Sequence, residues 1–274
     1  MNNRLLSFIH FGNKSFSLTK YKIEDENLPK EFNNFKIVHL SDFHNSFAIK
    51  DIIIRSINEE SPDIVIMTGD MVNKYDTKSD FYIFLDLARS ISDKYKTYFI
   101  CGNHENRLDK EDLAYILKKL KEYNIFILNN KNKKIYVNKE YINLCGINLS
   151  NKCYITKNIK SKYVVKNEVN RFLKNMRKSQ YNILLAHNPL IFEEYAKYNV
   201  NLIFSGHVHG GMIRLPIIGA ILSPERKFFP KYNNGIYRVK DKIMIVSRGL
   251  GHSRPGIRIK NKPELISITL YYKK

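Results

Sequence analysis

Apolar residues come in short runs along this chain, and each run stops at a polar residue of unusual type. Residues 35–42, 64–70, 97–104, 182–187 and 201–207 are mostly apolar, rich in β-branched and aromatic side chains, and close on Asp42, Asp70, His104, His187 and His207. Runs of this length and composition are strands covered on both faces. Between them, apolar positions recur at three- and four-residue intervals: Ile52, Ile53 and Ile57; Phe81, Phe84, Leu85 and Ala88; Leu113, Ile116, Leu117 and Leu120. That is helical spacing, broken at Ser61-Pro62 or at Asn-rich turns. Strand, loop, helix, strand in repetition predicts an α/β sheet with helices on its faces and functional residues at the carboxyl ends of the strands.

The tail changes character. Residues 235–239, 242–247 and 265–272 alternate or run apolar between Gly, Asn and Pro turns, with no helical spacer. They are expected as antiparallel strands completing a second sheet, with residues 131–154 adding a hairpin. The expected fold is a four-layer αββα sandwich, two mixed β-sheets face to face between layers of helices. Residues 1–34 read as an N-terminal extension with edge strands and 35–274 as one domain, since no Pro/Gly/Ser-rich stretch divides the chain. The apolar stretch 212–222 reads as a buried hairpin, or else as a lipid-facing rim with Arg214, Arg226, Lys227 and Lys231 nearby.

Composition sharpens this only in part. At 274 residues with 43% hydrophobic and 26% charged, the chain buries a sizeable core without a metal or disulfide staple. A metal here would be functional rather than structural. Three cysteines, Cys101, Cys145 and Cys153, are no disulfide framework and suit a reducing, cytoplasmic setting. No apolar run reaches membrane-spanning length. The formal charge of +20 invites a polyanionic partner, but the excess is 34 Lys against 12 Arg, scattered along the chain. Planar recognition of phosphate favours Arg, so a solvated Lys-rich surface accounts for most of that charge. Peripheral contact with an anionic membrane at the inner face of the cell membrane stays open, dedicated nucleic-acid binding is disfavoured, and a monomer is expected.

The strand ends together supply Asp42, His44, Asp70, Asn103, His104, His187, His207 and His209. Imidazoles, carboxylates and an amide are metal-ligand chemistry: two cations need one shared anionic donor and about three donors apiece. Asp42 and His44, like His207 and His209, are spaced i, i+2, which in extended chain points both side chains the same way. Gly69, Gly102 and Gly206 each precede one of these residues, where close backbone approach is needed. His39 in mid-strand and His10 before the core read as packing or surface residues. Cys101 reads as a small buried hydrophobe.

In order, the chain carries Asp42-Phe43-His44, Gly69-Asp70, Gly102-Asn103-His104-Glu105, His187 and Gly206-His207-Val208-His209. In these five blocks it resembles the calcineurin-like metallophosphoesterases. The likeness runs on through the segments around Gly210, Ser247-Arg248-Gly249 and Pro263-Glu264, as in a bacterial, membrane-associated phosphodiesterase-like branch. It implies one divalent transition metal (Mn, Fe, Zn or Ni) on Asp42, His44 and His209, and a second on Asn103, His187 and His207. Asp70 would bridge them, with His104 facing the substrate as the catalytic residue. Asn73 departs from the family's frequent acidic residue, which touches no implied ligand. Arg248 is a candidate phosphate contact and His252 a weaker one.

The implied activity is hydrolysis of a phosphate ester by metal-activated water, the substrate being a small or lipid-linked phosphodiester or diphosphate, a UDP-diacylglucosamine type included. A nuclease is the alternative, favoured by charge but without the aromatic-interleaved basic stretch that stacks bases. A metal-free binding scaffold is a third reading, and retention of all seven ligand positions speaks against it.

Overall fold

The computed structural model describes residues 16–154, 159–211, 213–215, 219–222, 229–251 and 258–274. Strand β1 (Ser17–Asp25) leads into β2 (Phe35–Leu40), helix α1 (Lys50–Glu60), β3 (Ile64–Met67), α2 (Tyr82–Ser92), β4 (Lys96–Phe99), α3 (Lys110–Glu122) and β5 (Phe126–Ile127). The second half runs β6 (Lys131–Val137), β7 (Glu140–Ile147), α4 (Ile159–Leu173), β8 (Asn182–Ala186), α5 (Phe192–Tyr195) and β9 (Leu202–Ser205). It continues through the hairpin β10 (Ile213–Leu215) and β11 (Gly219–Leu222) to β12 (Gly235–Val239), β13 (Lys242–Val246) and β14 (Glu264–Tyr272).

Two six-stranded sheets result, ordered β1-β14-β2-β3-β4-β5 and β12-β13-β9-β8-β7-β6. Their apolar strands split by alternation. In β3, Ile64 and Ile66 face the core between the sheets, while Val65 and Met67 face α1, α2 and α3 through Ile53, Ile57, Phe84, Ala88, Ile116 and Leu120. In β8, Ile183 and Leu185 face inward, while Leu184 and Ala186 meet Val165, Val169 and Leu173 of α4. Both faces are therefore dry, and the arrangement is the αββα sandwich. Ile52 turns outward, 41% exposed, one position off the buried stripe of α1.

The tail corrects one expectation. β12 and β13 do join the second sheet, but β13 pairs parallel with β9. β14 crosses to the first sheet, antiparallel to β2 and parallel to β1. The apolar pattern shows that a strand is buried; it does not show which sheet takes it. β14 fills that place with Ile266, Ile268 and Leu270 in the core between the sheets and Leu265 in the outer one.

Register sets the site. Leu40 pairs with Met67 and Met67 with Phe99, so β2, β3 and β4 end level, while β8 and β9 pair Leu185 with Phe204 in the facing sheet. The segment 212–222 forms the expected hairpin over its described residues, with Ala220 buried. Ile217, Ile218, His10 and His252 lie outside the described residues. Among the described residues no helix is long and apolar enough to cross a membrane.

Candidate metal centre

Five of the side chains at these strand ends hang on strained backbone. Asp42, His44, Asp70, His207 and His209 have φ of 52°, 48°, 54°, 70° and 51°, a left-handed region that non-glycine residues rarely occupy. Hydrogen bonds between loops over-determine them: Asp42 N–H to Gly69 O at 3.0 Å, His44 N–H to Asp70 O at 3.2 Å, and Gly206 N–H to His187 O at 3.1 Å. Glycine allows that closeness. A Cβ on Gly69 would strike the Gly102 backbone, and one on Gly206 would strike Ser41 and the Asp42 carboxylate.

The structure brings Asp42, His44 and His209 together, and likewise Asp70, His187 and His207, each group with ligand atoms within 4.8 Å of one another. His44, Asp70 and His104 form a third such group. Nε2 of His44 lies 3.2 Å from Nε2 of His209, which is 3.4 Å from Asp42 Oδ1. His187 Nε2 is 3.1 Å from Asp70 Oδ2 and 3.9 Å from Asp42 Oδ1. Asp42 thus reaches toward both groups.

Two observations test whether cations fit. Nε2 of His187 and Oδ1 of Asn103 are buried with no hydrogen-bond partner. His187 Nδ1 donates to the Thr68 carbonyl at 2.7 Å, which fixes its proton there and leaves a lone pair on Nε2. An imidazole lone pair beside two carboxylates, with a buried and unpaired amide oxygen on the loop after β4, fits divalent cations. Burial opposes ionisation of His187, yet the Asp70 and Asp42 carboxylates raise it to about 9. Burial also opposes ionisation of Asp70, but His187 and His104 hold its carboxyl well below the usual range. The negative charge that pulls a proton onto His187 is charge a cation would neutralise.

His104 is wired differently. Its Nδ1 accepts the Lys74 N–H at 3.1 Å, so the neutral ring carries its proton on Nε2 and offers no lone pair there. Burial lowers its basicity, so the ring is neutral at pH 7. It is a donor beside the cluster, with Nε2 3.9 Å from Asp70 Oδ2.

Arg248 is engaged in a tie between strands. Its Nη2 donates to Glu264 Oε1 and to Ser17 Oγ, both at 2.9 Å, tying the chain before β14 to the start of β1. His39 is packed: fully buried, Nε2 2.7 Å from Thr68 Oγ1, its ring edge-on to Phe204. At Asn73 the missing acid is supplied by Asp76, whose Oδ2 accepts the Asn73 N–H at 2.8 Å and the Asn45 amide at 2.5 Å.

Several residues around the cluster carried no signal in the sequence. Thr68 orients His187 through its carbonyl, a group every residue has. Tyr154 packs edge-on against His207 with ring centroids 4.9 Å apart. Arg258 is 2% exposed and places Nη2 3.3 Å from His209 Nδ1. Burial pushes its guanidinium down to about 10, still cationic at neutral pH.

Comparison with known proteins agrees with this geometry. The family model for calcineurin-like phosphoesterases matches residues 35–211, a span holding all the clustered ligands. The uncharacterized metallophosphoesterase YkuE of Bacillus subtilis is 29% identical over 258 residues, 92% of this chain and 84% of its own length. Phosphodiesterase YaeI of Escherichia coli is 27% identical over 246 residues, 86% of this chain and 82% of its own. A dimetal phosphatase structure from Danio rerio covers 79% of this chain and 88% of its own, with TM-score 0.49 and 9% identity. With the family match covering well over half of its length, the chain belongs to the calcineurin-like phosphoesterases and is a phosphoric-ester hydrolase.

Proposed function

We propose that this chain is a dinuclear phosphodiesterase, with one divalent transition-metal ion on Asp42, His44 and His209, a second on Asn103, His187 and His207, and Asp70 between them. The observation that carries the reading is the grouping of Asp42, His44 and His209, and of Asp70, His187 and His207, each with ligand atoms within 4.8 Å of one another, while Asn103 Oδ1 on the loop after β4 is buried without a hydrogen-bond partner. Cations bound there would supply an acidified water at neutral pH and neutralise charge on the phosphoryl oxygens.

The chain's own residues do the rest. Thr68 O holds the His187 proton on the outer nitrogen, so the inner one stays free for a cation. The Lys74 N–H holds His104 with its proton on Nε2, where it can donate a hydrogen bond to a phosphoryl oxygen and stabilise charge developing there. Glu105 fixes the loop bearing Asp70. Arg248 is left out of the substrate set because its Nη2 is committed to Glu264 and Ser17.

Relatedness to phosphodiesterase YaeI supports an ester with two organic arms. Along the chain, Phe47 follows His44 by three residues and is 65% exposed, and Tyr75 follows Lys74 and is 71% exposed. Exposed aromatic side chains on these two loops suit an apolar or aromatic arm better than a bare monoester. A panel of bis(p-nitrophenyl) phosphate, p-nitrophenyl phosphate and single-stranded DNA, run with Mn, Fe, Zn and Ni, tests this. Faster turnover of the small diester supports the proposal. Preference for the monoester, or for the nucleic acid with steep salt dependence, sinks it.

A further inference from the structure

The two histidines that turn their outer nitrogens away from the cluster meet opposite neighbours. At His187 the outer nitrogen donates to the Thr68 carbonyl at 2.7 Å. At His209 it faces Arg258 Nη2 at 3.3 Å. A guanidinium has donors only. An imidazole that gives Nε2 to a cation carries its proton on Nδ1, so at His209 a donor would face a donor.

Charge adds to this conflict. Arg258 is almost wholly buried, its Nη1 has no hydrogen-bond partner, and the carboxylates that act on it are Asp42, itself one of the ligands, and Glu264. Nor is the guanidinium free to leave. Nε donates to Gly251 O at 3.1 Å and Nη2 donates to the same oxygen, while Gly251 N–H donates to Asp42 O at 2.6 Å. The cation is therefore anchored to the loop that carries Asp42, behind one ligand group and not the other. A carbonyl behind a ligand strengthens it toward a metal, whereas a fixed positive charge weakens it.

We infer that Arg258 makes the two cation positions unequal, so that the position at Asn103, His187 and His207 fills first and the one at Asp42, His44 and His209 is held weak. This rests on the dinuclear reading above. Arg258 acts through His209 and is a positioning residue; it does not touch the substrate.

Manganese titration of the metal-stripped full chain, read by calorimetry and by electron paramagnetic resonance of free Mn(II), tests the inference without any turnover assay. The wild type should bind in two phases, with His187→Ala removing the tight phase and His209→Ala the weak one. Arg258→Gln offers an amide oxygen to His209 and an amide N–H to Gly251; it should tighten the weak phase by about tenfold or more, in the range typical of a ligand's outer partner. Arg258→Lys keeps the charge and should leave that phase weak. Equal phases in the wild type, loss of the tight phase in His209→Ala, or an unchanged or weakened second phase in folded Arg258→Gln would overturn the inference. The histidine variants decide the matter even if Arg258→Gln does not fold. Saturation at fewer than two Mn(II) per wild-type chain would instead refute the dinuclear reading and this inference with it.

Discussion

The carboxylate of Glu105 holds Asp70 by its backbone: Oε2 accepts the Asp70 N–H at 2.8 Å. The same oxygen accepts the Gly102 N–H at 2.8 Å, and Oε1 accepts those of Met71 at 2.6 Å and Val72 at 3.3 Å. One buried side chain thereby ties the loop after β3 to the loop after β4 and fixes where Asp70 and Asn103 point.

Glu105→Gln should therefore destabilise the fold. Its amide nitrogen would confront a backbone N–H, leaving buried donors unsatisfied, and losses of about 2–4 kcal/mol are expected. Urea unfolding of metal-free wild type and variant measures this directly. Equal midpoints would show that the carboxylate has no such structural role.

Asp70→Asn is expected to lower metal content and remove activity together. The carboxylate meets His187 Nε2 at 3.1 Å and groups with His44 on one side and with His187 and His207 on the other, so its charge serves both ligand groups. Elemental analysis after reconstitution with Mn, Fe, Zn or Ni checks the first effect. A variant with a full metal complement would contradict the assignment.

His104→Ala should cut kcat by roughly a hundredfold or more while metal content stays near that of the wild type, the usual size of a lost charge-stabilising hydrogen-bond donor. The basis is the Lys74 N–H on Nδ1, which makes His104 a donor rather than a ligand. Loss of metal in this variant would return His104 to the ligand set.

His39 gives a pH dependence separate from the catalytic chemistry. Burial, with His187 nearby, pushes its imidazole down to about 3 in the folded protein, against an ordinary value near 6.5. A depressed base binds its proton only on unfolding, so its stabilisation is complete above about pH 6.5 and is lost as pH falls toward 3. Comparing His39→Gln with wild type in urea titrations should show the variant's stability falling less steeply across that window, by about 1.4 kcal/mol per pH unit. Parallel curves would mean that His39 is protonated in the fold.

The three thiols should be inert. Cys101, Cys145 and Cys153 are free and buried, and burial pushes the latter two up to about 12. Iodoacetamide at pH 8 should label them only on the unfolding timescale. Prompt labelling of the native protein would show an open path to one of them.

Sequence alone determined the strand cores, the helices between them and the donor types at the strand ends. Those features are local: an apolar run such as 64–67 ending in Gly69-Asp70 needs no partner to be recognised, because two buried faces demand continuous apolarity and a tight turn with close backbone approach favours glycine. The tertiary structure decided what depends on distant neighbours. β14 has the alternation of any half-hidden strand, and only competition for an open place beside β2 put it in the first sheet rather than the second. Arg248 and Arg258 read alike along the chain, yet one is spent on Glu264 and Ser17 while the other stands buried behind His209. Hydrogen-bond donors and acceptors are fixed by residue type, but which ones meet is set by packing between segments far apart in sequence. The carbonyl of Thr68 and the guanidinium of Arg258 therefore acquired their roles only when the two sheets closed over them.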